Sequence, residues 1–253
     1  MIRALFAEPA AVLGTAVTRM IAVLIGLCCH EWGHAYVAHL WGDATARRAG
    51  RMTLNPLAHL DPVGTLLMLF AGFGFAKPVP VNPYNFRNRL RGDLCVSLAG
   101  VTVNIALFVF FTYLTALLSR ALWVRELQQS VGLWKLISFE YNAVWTIIDG
   151  TAGAQYAELF ARASLLPIVR ICAYASLTNL SLAVFNLIPI PPLDGYHVVN
   201  DLIFRGRIHL SPRAFQIAML LVLFLSWRGI LGRVIFAVVF PAQRLLLLPL
   251  GAS

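Results

Sequence analysis

The alternation of long apolar runs with short basic stretches most constrains the fold of this chain. Three runs, at 10–39, 94–118 and 165–190, contain few charged side chains. Each exceeds the roughly 20 residues that an α-helix needs to cross the hydrocarbon core of a bilayer. Only 12% of the 253 residues are charged and 59% are hydrophobic, whereas about 25% of a soluble domain is charged. The sequence therefore predicts an all-α multi-pass membrane protein and excludes a soluble enzyme.

The formal net charge of +9 is explained better by the membrane than by nucleic acid. Arginines cluster at the ends of the apolar runs, where basic residues flank membrane spans on the cytoplasmic side. We therefore expect a lipid bilayer as the surrounding medium and no nucleic-acid partner. A bacterial cytoplasmic (inner) membrane is the expected location.

The segments between and after the three core spans favour shorter elements. Val63–Ala76 is apolar but short and holds three glycines, which favours a re-entrant loop. The flanking stretches 50–56 and 77–83 alternate and end in Asn-Pro, a pattern of short paired strands. Residues 119–163 are rich in Trp and Tyr and suit an interfacial segment. Residues 214–250 are apolar but interrupted around Arg228, so one or two C-terminal spans are possible.

The sequence predicts one domain. No internal repeat and no polar segment of useful size divides the chain, so we predict a single membrane-embedded domain over 1–253. Its core spans about 10–200, and the C-terminal helices span 214–250.

The stretch "HEWGH" places His30, Glu31 and His34 inside the first apolar run. Residues four apart lie on one face of a helix, so both imidazoles can bind one zinc ion. Glu31 is then adjacent to the metal rather than on it, the position of a general base. Ionisable groups within a span are energetically costly and indicate a functional site. The motif therefore predicts a metal centre.

A catalytic zinc usually has three protein ligands, so a third must come from elsewhere. Asp194 in "PPLDG" is the strongest candidate because it follows the third run as an otherwise unexplained carboxylate. The preceding prolines end the helix and free backbone groups there. His39 is five residues past His34 and drifts off the shared face, so we interpret it as an interface histidine.

The order of the spans supports this pairing. If Val63–Ala76 does not cross the membrane, the end of the first run and the end of the third run emerge on the same side. His30, His34 and Asp194 then share that side with most of the arginines, which places the active site toward the cytoplasm.

These residues resemble the site-2 protease family, the intramembrane zinc metalloproteases. "HEWGH" and "NLIPIPPLDG" match the two signatures of the family, and "GFAKPVPVNPYNFRN" and "SLAGVTVN" resemble its compact bacterial branch without PDZ or CBS domains. The resemblance covers about Ala22 to Gly195. The chain departs from the family pattern at Val101, where the family usually has proline. The local bend that a proline would give the second span is therefore not expected from this residue.

The resemblance implies one zinc ion per chain, with His30, His34 and Asp194 as ligands and Glu31 as catalytic base. It also implies that the substrates are transmembrane segments of other membrane proteins. Asn104 and Asn186 match family asparagines that could bind the oxyanion or the substrate backbone, or could join helices by hydrogen bonds. Gly72 and Gly74 in "GFGF" could expose a strand edge that pairs with an extended substrate.

The predicted function is therefore zinc-dependent intramembrane endopeptidase activity, as in regulated intramembrane proteolysis. The alternative from another class is a membrane carrier that moves metal ions or protons through the same His/Asp cluster. Transporters often show duplicated halves, which this sequence lacks. An inactive relative is a third possibility, disfavoured by the intact Glu31.

Overall fold

The computed structural model describes residues 9–62, 64, 76–138, 142–148 and 154–250, and these residues are mostly helical. The helices are α1 Pro9–Leu40, α2 Thr45–Arg48, α3 Pro56–His59, α4 Arg89–Leu122, α5 Arg125–Val131, α6 Leu133–Ile137, α7 Asn142–Ile148, α8 Leu166–Asn186, α9 Asp194–Ile203, α10 Pro212–Trp227 and α11 Ile230–Leu247. Short 3-10 turns cover Pro83–Asn85, Ala154–Leu159, Ala163–Leu165 and Leu248–Leu250. The prediction of an all-α fold is confirmed.

Four helices within the described residues are long and apolar enough to cross a membrane: α1, α4, α8 and α11. The first three correspond to the predicted core spans. Helix α4 is longer than its predicted run, since it begins at Arg89 and ends at Leu122. It continues through Val101, which is 3% exposed, so the residue that replaces the family's proline lies in unbroken helix.

The C-terminal region, which the sequence left open, forms two helices. Helix α10 ends at Trp227, and Gly229 adopts a φ of 68° before α11 begins. This left-handed conformation suits glycine, which lacks a Cβ. Helix α11 has 18 residues, whereas α10 has 16. Only α11 therefore reaches the length of a candidate span.

The described residues form two compact units that share the long helices. One unit comprises residues within 9–23, 107–178 and 237–250. Its core includes Leu122, Trp123, Leu136 and Val169. Trp123, in the segment expected at the membrane interface, is 1% exposed and packs against Phe160 with ring centroids 5.0 Å apart. The interfacial position of the segment stays a prediction. A large aromatic ring contributes most when it is buried in a core.

The other unit comprises residues 24–106 and 179–236, as far as they are described. It contains every candidate metal ligand predicted from the sequence. Small apolar clusters hold its elements together, such as the one around Leu193, Val222 and Leu231. The segment that precedes Asp194, helix α10 and the start of α11 are thereby packed in the same unit.

The predicted strand pair is wrong for the described residues of 50–56 and 77–83, which are irregular. Asn55 instead caps α3 by accepting a hydrogen bond from the backbone N–H of Leu57. The prolines at 78 and 80 lack the N–H that a strand ladder needs. An isolated bridge joins Leu60 and Ala76. Of the predicted re-entrant loop at 63–76, only Gly64 and Ala76 are described, and Gly72 and Gly74 lie outside the described residues.

Candidate metal centre and active site

The structure brings His30, His34 and Asp194 together. Helix α1 presents the two imidazoles on one face, and Asp194 is the first residue of α9. The Nε2 atoms of the histidines are 2.9 Å apart, and each is 3.3 Å from Oδ2 of Asp194. Both histidines are buried, and the Asp194 side chain is largely so. The three donor atoms could hold a single metal ion.

The hydrogen bonds of the Nδ1 atoms of His30 and His34 determine the tautomers of the two rings. Nδ1 of His34 donates to the backbone carbonyl of Val96 at 2.7 Å, because a carbonyl can only accept. Nδ1 of His30 lies 2.7 Å from Oδ1 of Asn104, which identifies it as a donor too. In the neutral rings both Nε2 atoms therefore carry a lone pair toward Asp194.

This arrangement fits a cation. Two imidazole lone pairs converge on a carboxylate whose Oδ2 is buried and has no hydrogen-bond donor, and such a cluster is repulsive without a positive charge between the atoms. Ligands 2.0–2.1 Å from a tetrahedral ion are about 3.3–3.4 Å apart. The two His–Asp distances match that separation, and the His–His distance is slightly shorter. Nitrogen and carboxylate donors suit Zn²⁺.

Glu31 lies beside the cluster. Its Oε2 accepts a hydrogen bond of 2.8 Å from the backbone N–H of Val79. The side chain projects from α1 about 100° away from that of His30. Glu31 is not among the three clustered donors, and its role as general base stays a prediction.

Asn104 on α4 is fully buried and does not face an open cleft. Its side chain forms hydrogen bonds with residues of α1 and α8. Its Nδ2 donates to the carbonyl of Gly26 at 3.2 Å and to Oδ1 of Asn179 at 2.8 Å, while its Oδ1 accepts from His30. Both amide hydrogens are thus engaged, so the geometry favours positioning of His30 over binding of an oxyanion. Asn186 donates to the carbonyl of Leu182 in its own helix, and its proposed substrate role stays a prediction.

The remaining histidines lie outside the cluster. Nε2 of His39 faces Nη1 of Arg47 at 3.1 Å, consistent with an interface residue. His59 is buried and donates to the carbonyl of Thr53. Nδ1 of His197 lies 3.4 Å from Oδ2 of Asp93.

Sequence reasoning missed several groups that shape the site. Gly100 on α4 faces both rings, because a Cβ built there would lie 2.5 Å from Nε2 of His34. Asn179 supports Asn104 from α8. A polar residue inside an apolar helix is itself a signal of function, so Asn179 could have been found. Gly100 and the carbonyl of Val96 carry no comparable signal.

A second polar cluster lines a cavity of about 440 Å³ alongside α9. His197, Asp93 and Asp201 lie there, with Arg89 and Arg205 also on the wall. Burial, followed by the nearby carboxylate of Asp93, raises the pKa of Asp201 to about 6. Hydrogen bonding to Asp93 raises the pKa of His197. Asp201 therefore holds its proton to a higher pH than an ordinary aspartate does.

We expect Asp201→Asn to stabilise the folded chain at about pH 8 and not at about pH 4. The folded pKa of Asp201 lies above the ordinary value of 3.8, so its stabilising contribution is present at low pH and lost as pH rises through about 6. The amide avoids that ionisation, with a gain on the order of 1 kcal/mol after solvent screening. Thermal unfolding of the full chain in detergent at both pH values measures it; equal midpoint shifts at the two pH values would contradict the assignment.

Helices that can cross a membrane, with a buried His/His/Asp cluster beside a glutamate, define a membrane metallopeptidase. The sequence model of peptidase family M50 matches residues 18–227. The chain belongs to this family, the site-2 protease family, as its two sequence signatures indicated.

Curated relatives agree with the family assignment. The chain is 36% identical over 188 residues to "Putative zinc metalloprotease YwhC" of Bacillus subtilis, which covers 74% of this chain and 69% of the relative. It is 30% identical over 234 residues to "Putative zinc metalloprotease Rip2" of Mycobacterium tuberculosis, which covers 87% of this chain and 71% of the relative. No solved structure matches the chain significantly.

Proposed function

We propose that the chain is a zinc-dependent endopeptidase that cleaves transmembrane segments of other membrane proteins. The observation that supports this most is the convergence of two imidazole nitrogens on Oδ2 of Asp194, a buried oxygen without a hydrogen-bond donor. Both imidazoles lie on the helix that also carries Glu31. The cluster includes residues of α1, a helix that can cross a membrane. Peptide bonds of a membrane-embedded substrate are therefore the expected targets.

His30, His34 and Asp194 would hold the zinc ion. Zinc supplies Lewis acidity, which polarises a carbonyl and lowers the pKa of bound water to about 7. The carboxylate of Glu31 takes a proton from the attacking water and returns it to the leaving amine nitrogen. Asn104 and the carbonyl of Val96 hold the outer nitrogens of the rings, which keeps both Nε2 atoms directed at Asp194 and would orient them for a bound ion.

The substrate segment must unwind before it is cut, because a complete helix engages its carbonyls in hydrogen bonds. We place the active site toward the cytoplasmic side of a bacterial inner membrane. The unit that holds the cluster also carries most of the basic residues, and basic residues concentrate on the cytoplasmic side of spans. They include Arg47, Arg48, Arg51, Lys77, Arg87, Arg89, Arg91, Arg205, Arg207 and Arg213.

Metal removal tests the proposal. Purified chain is added in detergent to bacterial membrane vesicles, and new peptide termini are mapped by mass spectrometry. We expect new termini within apolar segments of membrane proteins, their loss after chelation and their return with Zn²⁺. A chain that binds zinc and produces no such termini, or termini that persist after chelation, would overturn the proposal. Zinc flux into sealed vesicles without cleavage would favour the carrier.

A further inference from the structure

The carboxylate of Glu31 is held by a backbone group from a distant segment. We propose that the N–H of Val79 positions Glu31 for proton transfer, and that Asp43 fixes the segment that carries this N–H. The contact joins residues 48 apart in sequence, with a distance of 2.8 Å between N of Val79 and Oε2 of Glu31. The inference rests on the proposed function, in which Glu31 is the general base.

The sequence around Val79 isolates a single donor. Residues 78 and 80 are both proline, and proline has no backbone N–H. Val79 is therefore the only main-chain donor of the three, and it points at Glu31. A residue before proline is also confined to extended conformations, so the donor is carried on stiff backbone.

The Val79 segment is fixed by packing and by an arginine. The side chain of Val79 is 9% exposed and belongs to a cluster with Ala35 and Ala46. Ala35 lies on α1, four residues after Glu31. Nη2 of Arg51 donates to the carbonyl of Lys77 at 2.7 Å. The donor is thus held against the same helix that presents its acceptor.

Asp43 fastens the other end of this segment. Its side chain is fully buried and accepts hydrogen bonds from the backbone N–H of Asn82 at 2.7 Å and from Nδ2 of Asn85 at 2.8 Å. The N–H and hydroxyl of Thr45 donate to the same carboxylate. Burial opposes its ionisation, but these hydrogen bonds hold the pKa of Asp43 below its usual range. Asp43 therefore acts on Glu31 only through the segment.

This arrangement leaves the second oxygen of Glu31 for the proton. With Oε2 fixed by Val79, rotation of the carboxylate is restricted and Oε1 keeps one orientation. A general base must lie within hydrogen-bond reach of the proton that it takes. Loss of the N–H should therefore slow the chemical step with little effect on substrate binding.

The test compares Val79→Pro with Val81→Pro. Both variants remove one N–H from the same segment, but the N–H of Val81 does not bond to Glu31. With a membrane peptide identified by the terminus mapping as substrate, we expect Val79→Pro to lower kcat roughly 10- to 100-fold. KM and the zinc content should stay close to those of the unaltered chain. Val81→Pro removes a side chain that packs on the same cluster as Val79, so it should lower kcat much less than Val79→Pro does.

Asp43→Asn provides a second, independent variant of nearly equal size. We expect it to lower kcat in the same direction by a smaller factor, with zinc retained. Unchanged kcat in Val79→Pro, or an equal loss in Val81→Pro, would overturn the inference. If Val79→Pro fails to fold, normal kcat in Asp43→Asn would also overturn it. Failure of the proposed function looks different, since the unaltered chain would then cleave nothing.

Discussion

The Glu31→Gln protein is expected to bind one zinc ion and to cleave membrane substrates at least about 100-fold more slowly than the unaltered chain. The amide is nearly the same size as the carboxylate and can still accept a hydrogen bond from the N–H of Val79. It cannot take up a proton at neutral pH, so it cannot act as a base. The cluster of His30, His34 and Asp194 is left intact.

Two measurements on the same preparation separate this effect from damage to the fold. Zinc content by elemental analysis should equal that of the unaltered chain, and the yield of cleaved peptide should fall. Glu126→Gln makes the same chemical change at an exposed position at the start of α5, so its cleavage rate should not change. Cleavage at the normal rate by Glu31→Gln would remove Glu31 from the reaction.

The sequence predicted the parts of the site that depend on local geometry. The spacing of His30 and His34 determines a shared helical face wherever the helix lies. Asp194 could be predicted because a lone carboxylate after a span, next to prolines, lacks another explanation. The long helices followed from the length of the apolar runs.

The groups that support the cluster could not be predicted in the same way. His30 and Asn104 are 74 residues apart, and His34 and Val96 are 62 apart. Tertiary packing determines which turn of α4 lies against which turn of α1. The periodicity of each helix alone does not predict this pairing. The same limit explains the missed contact between Val79 and Glu31. The alternation at 50–56 and 77–83 predicted a strand pair that does not form. The prolines and the helix cap at Asn55 override the alternation.

Gly100→Ala is expected to abolish both zinc binding and cleavage. A Cβ at position 100 would lie 2.5 Å from Cε1 of His30 and 2.6 Å from its Nδ1, as well as 2.5 Å from Nε2 of His34. Van der Waals contacts between carbon atoms are optimal at about 3.5–4.0 Å. The two imidazole rings must therefore move by roughly 1 Å. Rings that move so far can no longer aim both Nε2 atoms at one ion at 2.0–2.1 Å.

Helix propensity acts in the opposite direction, which makes this variant informative. Alanine favours a helix over glycine by about 1 kcal/mol, so a stable fold with lost zinc would point to the close approach of α4 to the rings. Gly14→Ala is the matched control, because Gly14 also lies in a long apolar helix but has open space where the Cβ would be. It should keep zinc and activity. A Gly100→Ala protein that binds one zinc ion with normal affinity would mean that α4 does not pack this closely against the two histidines. The hydrogen bond between Asn104, on the same helix, and His30 would then also be contradicted.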